Sequence, residues 1–381
     1  MHTKQCRACG GTFYQDSLLE LINMPQAAQH MPDKKALSAD KGINLTLKQC
    51  SLCGLIQLDN KPVPYYRDVI RATSVSGEMK KFRTEQFRRF VKKYGLAGKK
   101  ILEIGCGRGD YLSIMSETKA ISYGLENSKS AVEYCTKNGL KAIRGFIDNE
   151  SYRIKEGPFD GFYIMSFLEH LPDLRTLMSG IRNNLKKEAV GLIEVPNFDM
   201  MLRKKLYAEI IIDHLFYFTG NTLRRFLSHN GFDVLELKPV WHDFILSAVV
   251  RKRTAVDMKD AAFYFKKLKQ DINAYIDSIR RMGGKVAIWG AGHQAFTVMS
   301  LCKLTGKIEY VVDSAPFKQG KFTPATHIPI VAPGMLAKKP VNAVMVMAGS
   351  YSNEITGIIR KKYGRNIKRT ILQNHELIIL D

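Results

Sequence analysis

The sequence lacks long apolar runs and has few cysteines. No stretch approaches the roughly 18 uncharged apolar residues that a membrane-spanning helix needs. The first residues, Met1 to Cys6, hold no apolar segment of the secretory type, so we expect a cytoplasmic protein without a membrane partner. Seven cysteines in 381 residues are too few for a disulfide scaffold. In a reducing compartment their spacing indicates either a metal site or chance.

Acidic residues are also scarce relative to basic ones. The chain has 36 Asp and Glu against 58 Lys and Arg, which gives a formal net charge of +22. Such an excess favours anionic partners, among them nucleic acid, an acidic membrane surface and phosphorylated small molecules. Because the basic residues are spread along the chain, a generally basic composition accounts for the excess as well. Charge alone therefore selects no function.

The sequence does contain enough apolar material for more than one core. Hydrophobic residues make up 45% and charged residues 25%, which is ordinary for a globular chain and excludes wholesale disorder. Residues 1–70 show little periodicity and indicate a small module. Residues 80–253 and 282–381 alternate short apolar runs with helical patterns, which predicts parallel α/β sheets. With a bridging helix over 256–281, we predict three domains: 1–70, 80–253 and 256–381.

Two amphipathic helices are predicted from their apolar stripes. The first spans 79–94, and its basic side chains, Arg83 among them, are expected on the face opposite the stripe. Its stripe consists of Phe87, Phe90, Val91 and Tyr94. The second is the bridging helix over 256–281, whose buried face is expected to begin at Phe265.

Four cysteines form two CxxC pairs. They are Cys6 and Cys9, followed after 40 residues by Cys50 and Cys53. Four thiolates complete a tetrahedral zinc site, and a site closed by protein ligands is structural rather than catalytic. We predict that zinc replaces the apolar core that residues 1–70 lack. Chance spacing, a redox-active CxxC and a nucleic-acid-binding zinc ribbon are the alternatives.

A glycine-rich turn follows the first apolar run of the 80–253 region. Its residues are Glu103, Gly105, Gly107 and Gly109, between a predicted strand and a predicted helix. Glycines at this spacing let the backbone approach a nucleotide at the carboxyl end of the strand. Glu126 ends the next predicted strand, where a carboxylate accepts hydrogen bonds from ribose hydroxyls. A bound NAD and a cofactor-free α/β domain remain the alternatives at this point.

The spacing Gly-x-Gly-x-Gly followed by Glu126 resembles the class I S-adenosylmethionine-dependent methyltransferases. Their fourth-strand region is matched by residues 159–173, and the end of their fifth strand by residues 194–197. The resemblance implies a Rossmann-like central domain with S-adenosylmethionine as methyl donor. It also assigns three further residues to the donor site: Phe146, Ile147 and Ser166.

Three histidines stand near features that suit proton transfer. His170 follows the fourth-strand region, His214 follows Asp213, and His242 precedes an apolar run. A neutral histidine beside a carboxylate can accept a proton near neutral pH. Each of the three has the alternative of a buried or capped histidine that only packs.

A second glycine turn opens the 282–381 region. Gly290, Gly292 and Ala295 follow a predicted strand, and Asp313 ends the next one. This pattern ordinarily indicates a dinucleotide site. Because one methyl transfer needs no second cofactor, two interpretations remain. The turn holds the phosphates of an acceptor at a helix N-terminus, or the domain has no ligand.

The order of the three parts resembles the sugar C-methyltransferases of deoxysugar biosynthesis, in which a four-cysteine zinc module precedes two glycine-turn domains. Residues 313–320 and 324–330 look like the C-terminal signatures of that family. The resemblance implies methylation at C3 of a thymidine-diphosphate-linked 4-keto-6-deoxysugar. The family's Glu-His and Tyr-Phe are matched by residues 213–214 and 217–218, which implies that His214 is the general base.

Several positions depart from the family's pattern. A serine-rich run is matched by residues 73–76, but Val69 and Arg71 stand where the family has tyrosines. Ile211 replaces another tyrosine, and of a His-Gly-Gly segment only the histidine, His242, is kept. Since these positions belong to the sugar site in the family, the departures affect the acceptor and not the methyl donor.

The predicted reaction is methylation of a carbon beside a ketone, with Asp213 orienting His214. Loss of the carbon's proton gives an enolate, whose oxygen would be stabilised by His170, His242 or Tyr66. O-methylation of a sugar or another small-molecule hydroxyl is the first alternative. RNA methylation, suggested by the zinc module and the charge, is the second. A non-enzymatic binding protein is disfavoured by the intact donor motif.

Overall fold

The computed structural model describes residues 3–29, 31–68, 75–364, 366–374 and 376–380. Val69, Arg71 and the start of the serine-rich run lie outside the described residues. The chain divides into two compact units, Met1–Ala255 and Val256–Asp381. The three-part division remains a prediction.

The first unit contains eleven strands and six α-helices among its described residues. In chain order they are β1 (Leu19–Met24), β2 (Ile43–Gln49), β3 (Ile56–Leu58), α1 (Gly77–Lys93), β4 (Lys100–Ile104), α2 (Asp110–Ser116), β5 (Ile121–Glu126), α3 (Lys129–Lys137), β6 (Ala142–Arg144), β7 (Phe159–Met165), α4 (Leu174–Asn183), β8 (Leu185–Pro196), α5 (Phe198–Lys204), β9 (Phe216–Tyr217), α6 (Gly220–His229), β10 (Phe232–Val240) and β11 (Ile245–Lys252).

The central sheet of this unit has seven strands in the order β10-β11-β8-β7-β4-β5-β6. Strands β4 to β8 pair in parallel, while β11 runs antiparallel to both β8 and β10. Consecutive residues Phe162, Tyr163 and Ile164 of β7 are all 0% exposed. Such continuous burial arises because helices cover both faces of a parallel sheet. The predicted α/β core is confirmed.

A smaller antiparallel sheet has the strand order β1-β2-β3-β9. Its last strand comes from far along the chain and pairs Tyr217 with Ile56. Leu45 and Leu58 of this sheet are buried against Phe198 and neighbouring apolar residues. The N-terminal module therefore gains the apolar contacts it lacks on its own from later residues of the same unit.

The second unit is a separate α/β layer structure. Its elements are α7 (Ala261–Arg281), β12 (Val286–Trp289), α8 (His293–Leu301), β13 (Val311–Val312), β14 (Ile330–Val331), α9 (Met335–Lys338), β15 (Ala343–Val346), α10 (Ser352–Tyr363), β16 (Lys368–Gln373) and β17 (Glu376–Ile379). The sheet order is β14-β13-β12-β15-β16-β17, with the edge strand β17 antiparallel and the others parallel. The second predicted Rossmann-like sheet is thus present.

Two details of the predicted helices are wrong. Arg83 of α1 is 1% exposed rather than on the solvent face, because it forms a buried ion pair with Glu194 of β8. A buried charge persists only with such a partner. Phe265 of α7 is 47% exposed, and the buried stripe begins one turn later at Leu268.

Among the residues that the structure describes, no helix combines the length and the hydropathy needed to cross a membrane.

Candidate functional site

The donor-site residues lie at the carboxyl edge of the central sheet, where the strand order reverses. β4 lies between β5 and β7, so the chain departs to one side of β4 and later returns on the other. This reversal opens a crevice outside the carboxyl ends of the strands. Gly105, Asn127 and Ser166 directly follow those three strands. The fold thus brings the predicted donor segments to one edge.

The turn after β4 requires glycine for steric reasons. Gly105 has a φ of +71°, and a Cβ there would lie 2.8 Å from the ring of Phe167. Gly109 has a φ of +84°, and its Cβ would lie 2.6 Å from Leu140. A Cβ on Gly107 would meet nothing within 4 Å. Gly107 therefore leaves open space beside the backbone, where a ligand can approach closely.

Glu126, the last residue of β5, holds this turn through hydrogen bonds of its carboxylate. Its side chain is 7% exposed. One carboxylate oxygen accepts a hydrogen bond from the backbone N–H of Gly107 at 2.8 Å, and the other accepts one from Ser128 at 2.8 Å. A carboxylate offers about four acceptor positions. The group is thus held rigidly at the crevice and is able to accept from ribose hydroxyls as well.

A narrow crevice opens beside the turn. Four predicted donor residues line it: Gly105, Glu126, Phe146 and Ile147. Arg67 and Phe167 also line it, and sequence reasoning missed both. The guanidinium carbon of Arg67 lies 4.8 Å from the ring centre of Phe146, a cation–π contact. The only sequence signal near Arg67 was the pair of tyrosines before it.

The other predicted donor residues stand outside this lining: Gly107 and Gly109 of the turn, and also Glu103 and Ser166. Glu103 is 2% exposed and accepts a hydrogen bond from the hydroxyl of Tyr163 at 3.1 Å. Burial, together with the charge of Glu103, holds the pKa of Tyr163 well above its ordinary value. Ser166 has an exposed side chain, and its N–H donates to the backbone carbonyl of Glu194 at 2.9 Å. Their role in donor binding stays a prediction.

Two histidines meet at the same sheet edge. His170 ends the short 3₁₀ turn after β7, and its ring lies edge-on to that of His214 with ring centres 4.8 Å apart. The Nδ1 atom of His170 lies 2.9 Å from the backbone carbonyl oxygen of Asp213. Because a carbonyl oxygen only accepts, Nδ1 carries the proton and the Nε2 of neutral His170 is unprotonated.

Burial keeps both imidazoles neutral. It lowers the pKa of His170 below the ordinary histidine range. It lowers the pKa of His214 to about 3, and the charge that His170 can carry acts in the same direction. Both rings are therefore unprotonated at physiological pH, the form in which an imidazole nitrogen can accept a proton.

Glu169 lies beside the two histidines and directly precedes His170 in the sequence. It is 1% exposed, and burial raises the pKa of its carboxyl to about 8. Its Oε2 has no hydrogen-bond partner within the part of the chain that the structure describes. One of its carboxyl oxygens and one nitrogen each of His170 and His214 lie within 4.8 Å of one another.

Asp213 connects this cluster to the N-terminal module. Its Oδ1 accepts a hydrogen bond from the hydroxyl of Tyr65 at 2.9 Å, and its Oδ2 accepts one from the backbone N–H of Ala28 at 3.0 Å. Burial raises the pKa of Tyr65, and the hydrogen bond to the Asp213 carboxylate raises it further. The hydroxyl therefore remains a donor. The expected orientation of His214 by this carboxylate stays a prediction.

His242 occupies a separate place beside α1. Its side chain is 67% exposed, its Nε2 lies 3.1 Å from a carboxylate oxygen of Glu78, and its ring contacts that of Trp241. His242 and its two neighbours, Trp241 and Asp243, all have positive φ angles of 49° to 74°. The structure thus brings His170 and His214 together, and His242 has other contacts.

The four cysteines of the N-terminal module converge. The Sγ atoms of Cys6 and Cys53 are 3.8 Å apart, those of Cys9 and Cys50 are 3.5 Å apart, and all four lie within 4.8 Å. Four thiolates around tetrahedral zinc, with Zn–S bonds of about 2.3 Å, are about 3.8 Å apart. The donor set and its spacing therefore fit zinc.

The second glycine turn has different surroundings. Gly290 has a φ of +117°, and a Cβ there would lie 2.5 Å from the carbonyl oxygen of Met347. Asp313 accepts hydrogen bonds at 2.8 Å from the backbone N–H groups of Ala291 and Ala315. It also forms an ion pair of 2.9 Å with Lys318. The acid at this turn is thus engaged by groups of its own unit.

Two parts of the chain are similar to described domain families. Residues 79–237 match the profile of a methyltransferase domain, and residues 247–369 match that of a C-methyltransferase C-terminal domain. The C-methyltransferase NovU of Streptomyces niveus is 21% identical over 389 residues, which cover 92% of this chain and 91% of NovU. The likeness to NovU thus extends over nearly both full lengths.

Other similar proteins match shorter parts. The ubiquinone biosynthesis O-methyltransferase of Pasteurella multocida is 29% identical over 132 residues, 31% of this chain. The match spans about half, 53%, of that relative. A solved S-adenosylmethionine-dependent methyltransferase of Aquifex aeolicus has a TM-score of 0.36 and 15% identity, covering 45% of this chain and 93% of that one.

Proposed function

We propose that this chain, an S-adenosylmethionine-dependent methyltransferase by its matched domains, methylates a carbon atom of a nucleotide-linked 4-keto-deoxysugar. One observation carries the proposal: two neutral histidines, His170 and His214, meet at the same sheet edge as the donor crevice. A carbon acceptor must lose a proton before or during methylation, and a neutral imidazole is suited to take it.

The comparisons support carbon rather than oxygen as the methylated atom. The relative that matches along nearly the whole chain is named a C-methyltransferase, and the second unit matches a domain named for such enzymes. The ubiquinone O-methyltransferases match about a third of the chain, so they support donor use more than acceptor chemistry. The nucleotide-linked sugar comes from the family resemblance of the cysteine pairs and of residues 313–330.

The donor would be held by the crevice beside β4. Glu126 accepts from its ribose hydroxyls, Phe146 and Ile147 contact its adenine, and the open space at Gly107 admits it close to the backbone. When bound, S-adenosylmethionine would supply a methyl group on a positively charged sulfur; an in-line nucleophile would take the methyl group, and the sulfur would leave as a neutral thioether. The residues at this edge of the sheet then contribute to the rate chiefly by positioning the donor and the acceptor.

His214 takes the proton from the acceptor carbon. The neighbouring ketone acidifies that C–H bond, and its electron pair moves to the ketone oxygen as an enolate forms. An N–H bond forms at the same time on the imidazole, and the carbon then accepts the methyl group. A positioned general base of this kind contributes about 10²- to 10⁴-fold to the rate.

We assign stabilisation of the enolate oxygen to Tyr66. Neutral His170 carries its proton on Nδ1, toward Asp213, and offers no second N–H. Tyr66 packs against Phe146 of the crevice, with ring centres 6.3 Å apart, and its hydroxyl oxygen accepts from Nε of Arg67 at 3.2 Å. That bond leaves the O–H of Tyr66 available to donate and strengthens it as a donor.

The four cysteines hold a structural zinc ion in this proposal. The four thiol groups converge, and four thiolates fill the tetrahedral coordination of zinc. Such a closed site contributes to folding and not to the reaction. The module in turn reaches the catalytic segment, because β3 pairs with β9 and Tyr65 binds Asp213.

The proposal is tested by locating the transferred methyl group. The purified chain is incubated with isotopically labelled donor and a panel of nucleotide-linked sugars, each with a 4-keto and a matched 4-hydroxy form. We expect mass-spectrometric fragmentation to place the label on a ring carbon of a 4-keto sugar and on no 4-hydroxy form. Label on a sugar oxygen would establish the O-methyl alternative, and label in added RNA the RNA alternative.

A further inference from the structure

Glu169 has no role in the reaction as described so far. Its carboxyl is 1% exposed, and within the described residues its Oε2 has no hydrogen-bond partner. A buried polar atom without a partner destabilises the folded state. Such atoms are rare in native proteins, and each calls for an explanation.

The carboxylate expected to serve His214 is engaged elsewhere. Asp213 precedes His214 in the sequence, but both of its carboxylate oxygens accept hydrogen bonds from the N-terminal module, through Tyr65 and Ala28. Only its backbone carbonyl reaches the histidine cluster, where it binds His170. The orientation of His214 by Asp213 stays a prediction, and Glu169 is a second acid within reach of the ring.

We propose that Glu169 is the positioning residue for His214: its carboxylate accepts the N–H of the imidazole and turns the other ring nitrogen toward the acceptor carbon. This inference rests on the proposed function of His214 as base. The Glu169 oxygen and the His214 nitrogen lie within 4.8 Å. A hydrogen bond needs about 2.9 Å, and catalytic hydrogen bonds commonly shorten when the substrate binds.

The surroundings leave Glu169 as the acid that can do this. The other titratable groups packed around His214 are His170, Asp213 and Tyr217. His170 donates to a backbone carbonyl, Asp213 binds the N-terminal module, and the hydroxyl of Tyr217 binds the backbone of Ile211 at 3.0 Å. Each of these three groups is thus engaged in a bond that does not involve the His214 ring.

The proposed arrangement also balances the proton. As the C–H bond breaks, an N–H bond forms on the near nitrogen of His214. The far N–H bond breaks, and an O–H bond forms on Glu169. The negative charge moves from the carboxylate to the enolate, so no buried imidazolium remains. Burial favours this direction, since it raises the pKa of Glu169 to about 8 and lowers that of His214 to about 3.

The test compares Glu169→Gln with the matched isosteric variant Asp213→Asn. For the unmodified chain we expect kcat to rise with pH through about 8, as the carboxylate of Glu169 forms. Glu169→Gln should lower kcat by about 10- to 100-fold, with KM and donor affinity nearly unchanged, and abolish the rise. Asp213→Asn should keep the rise. An unchanged rise in Glu169→Gln would overturn the proposal.

Two further variants guard against a trivial loss of folding. Glu169→Asp keeps an acid on a shorter side chain, and it should retain the rise at lower kcat. In a His214→Asn background, Glu169→Gln should change kcat by less than about twofold, because the two groups act as one unit. A full multiplicative loss there would contradict the pairing. Normal turnover by His214→Asn alone would instead refute the proposed function.

Discussion

In the first unit the glycine turn after β4 borders a crevice lined by Glu126 and Phe146, whereas the turn after β12 in the second unit packs against backbone. The Cβ position of Gly290 falls 2.5 Å from the carbonyl oxygen of Met347, which follows the neighbouring strand β15. Glycine is thus needed at position 290 for contact between segments of the protein, while a Cβ on Gly292 would meet nothing within 4 Å, as at Gly107.

The acids that end the next strands differ as well. Glu126 binds backbone N–H groups at the crevice, while Asp313 adds an ion pair with Lys318. A ribose hydroxyl at Asp313 would compete with that cation. The same strand–glycine–helix–acid pattern therefore specifies a tight turn in both units, with different groups around the acid.

The largest difference between the two units is expected when a cysteine of each is replaced and the bound zinc is measured. Cys50→Ser should remove the metal, about one ion per chain, and abolish turnover, because β3 of this module pairs with the strand next to His214. Cys302→Ser, a buried thiol of the second unit, should keep the metal. Metal analysis of both purified variants checks this. Full metal content in Cys50→Ser would remove the zinc assignment.

The next largest difference is expected in turnover, between replacement of His214 in the first unit and of His293 in the second. His214→Asn should leave donor affinity intact and lower turnover by about 10²- to 10⁴-fold, as expected for loss of a general base. His293→Asn, at the start of α8 beside the second glycine turn, should stay within about twofold of normal turnover. Steady-state kinetics with the identified acceptor measures both. Equal losses would show that the second turn belongs to the reacting site.

The acids at the ends of β5 and β13 test donor binding directly. Glu126→Ala should weaken S-adenosylmethionine binding by about 1.5–3 kcal/mol, the range for a hydrogen bond to a charged group. Asp313→Ala should leave donor affinity unchanged. Isothermal titration with each variant, and with NAD as a competing ligand, provides the measurement. Tighter binding of NAD by the unmodified chain would overturn the donor assignment.

The smallest change in stability and turnover is expected at the hydrogen bond between Tyr65 of the N-terminal module and Asp213, which precedes His214. Tyr65→Phe removes one hydrogen bond to Asp213 and should destabilise the first unit by about 1 kcal/mol, with turnover reduced a few-fold. The second unit supplies a control in Tyr351→Phe, a tyrosine that is 66% exposed. Thermal unfolding together with kinetics tests this. Identical behaviour of the two variants would exclude a positioning role for Tyr65.

The features that could be predicted from sequence are those encoded locally. The turn around Gly105 has positive φ angles at Gly105, Gly107 and Gly109, so the glycine spacing alone predicts it. The apolar run of β7 likewise reports a strand buried on both faces. The cysteine spacing predicts convergence because each CxxC pair brings two ligands together within a few residues.

The remaining features depend on partners distant in sequence. Nothing near Phe216 predicts that β9 joins the N-terminal sheet, and nothing near Arg83 predicts its burial, because Glu194 lies 111 residues away. Arg67 contacts Phe146, which lies 79 residues later in the sequence. Asp213 was chosen as the partner of the base by adjacency, whereas its carboxylate binds Tyr65, 148 residues earlier.

The central claim, proton abstraction from carbon by His214, is tested most directly by isotope exchange without methyl transfer. The chain is incubated in deuterated water with a 4-keto nucleotide sugar and S-adenosylhomocysteine in place of the donor, and the acceptor is followed by NMR. We predict deuterium uptake at the carbon beside the ketone, reduced by about 10²-fold or more in His214→Asn. Uptake at the same rate in His214→Asn, or none with the unmodified chain, would contradict the account.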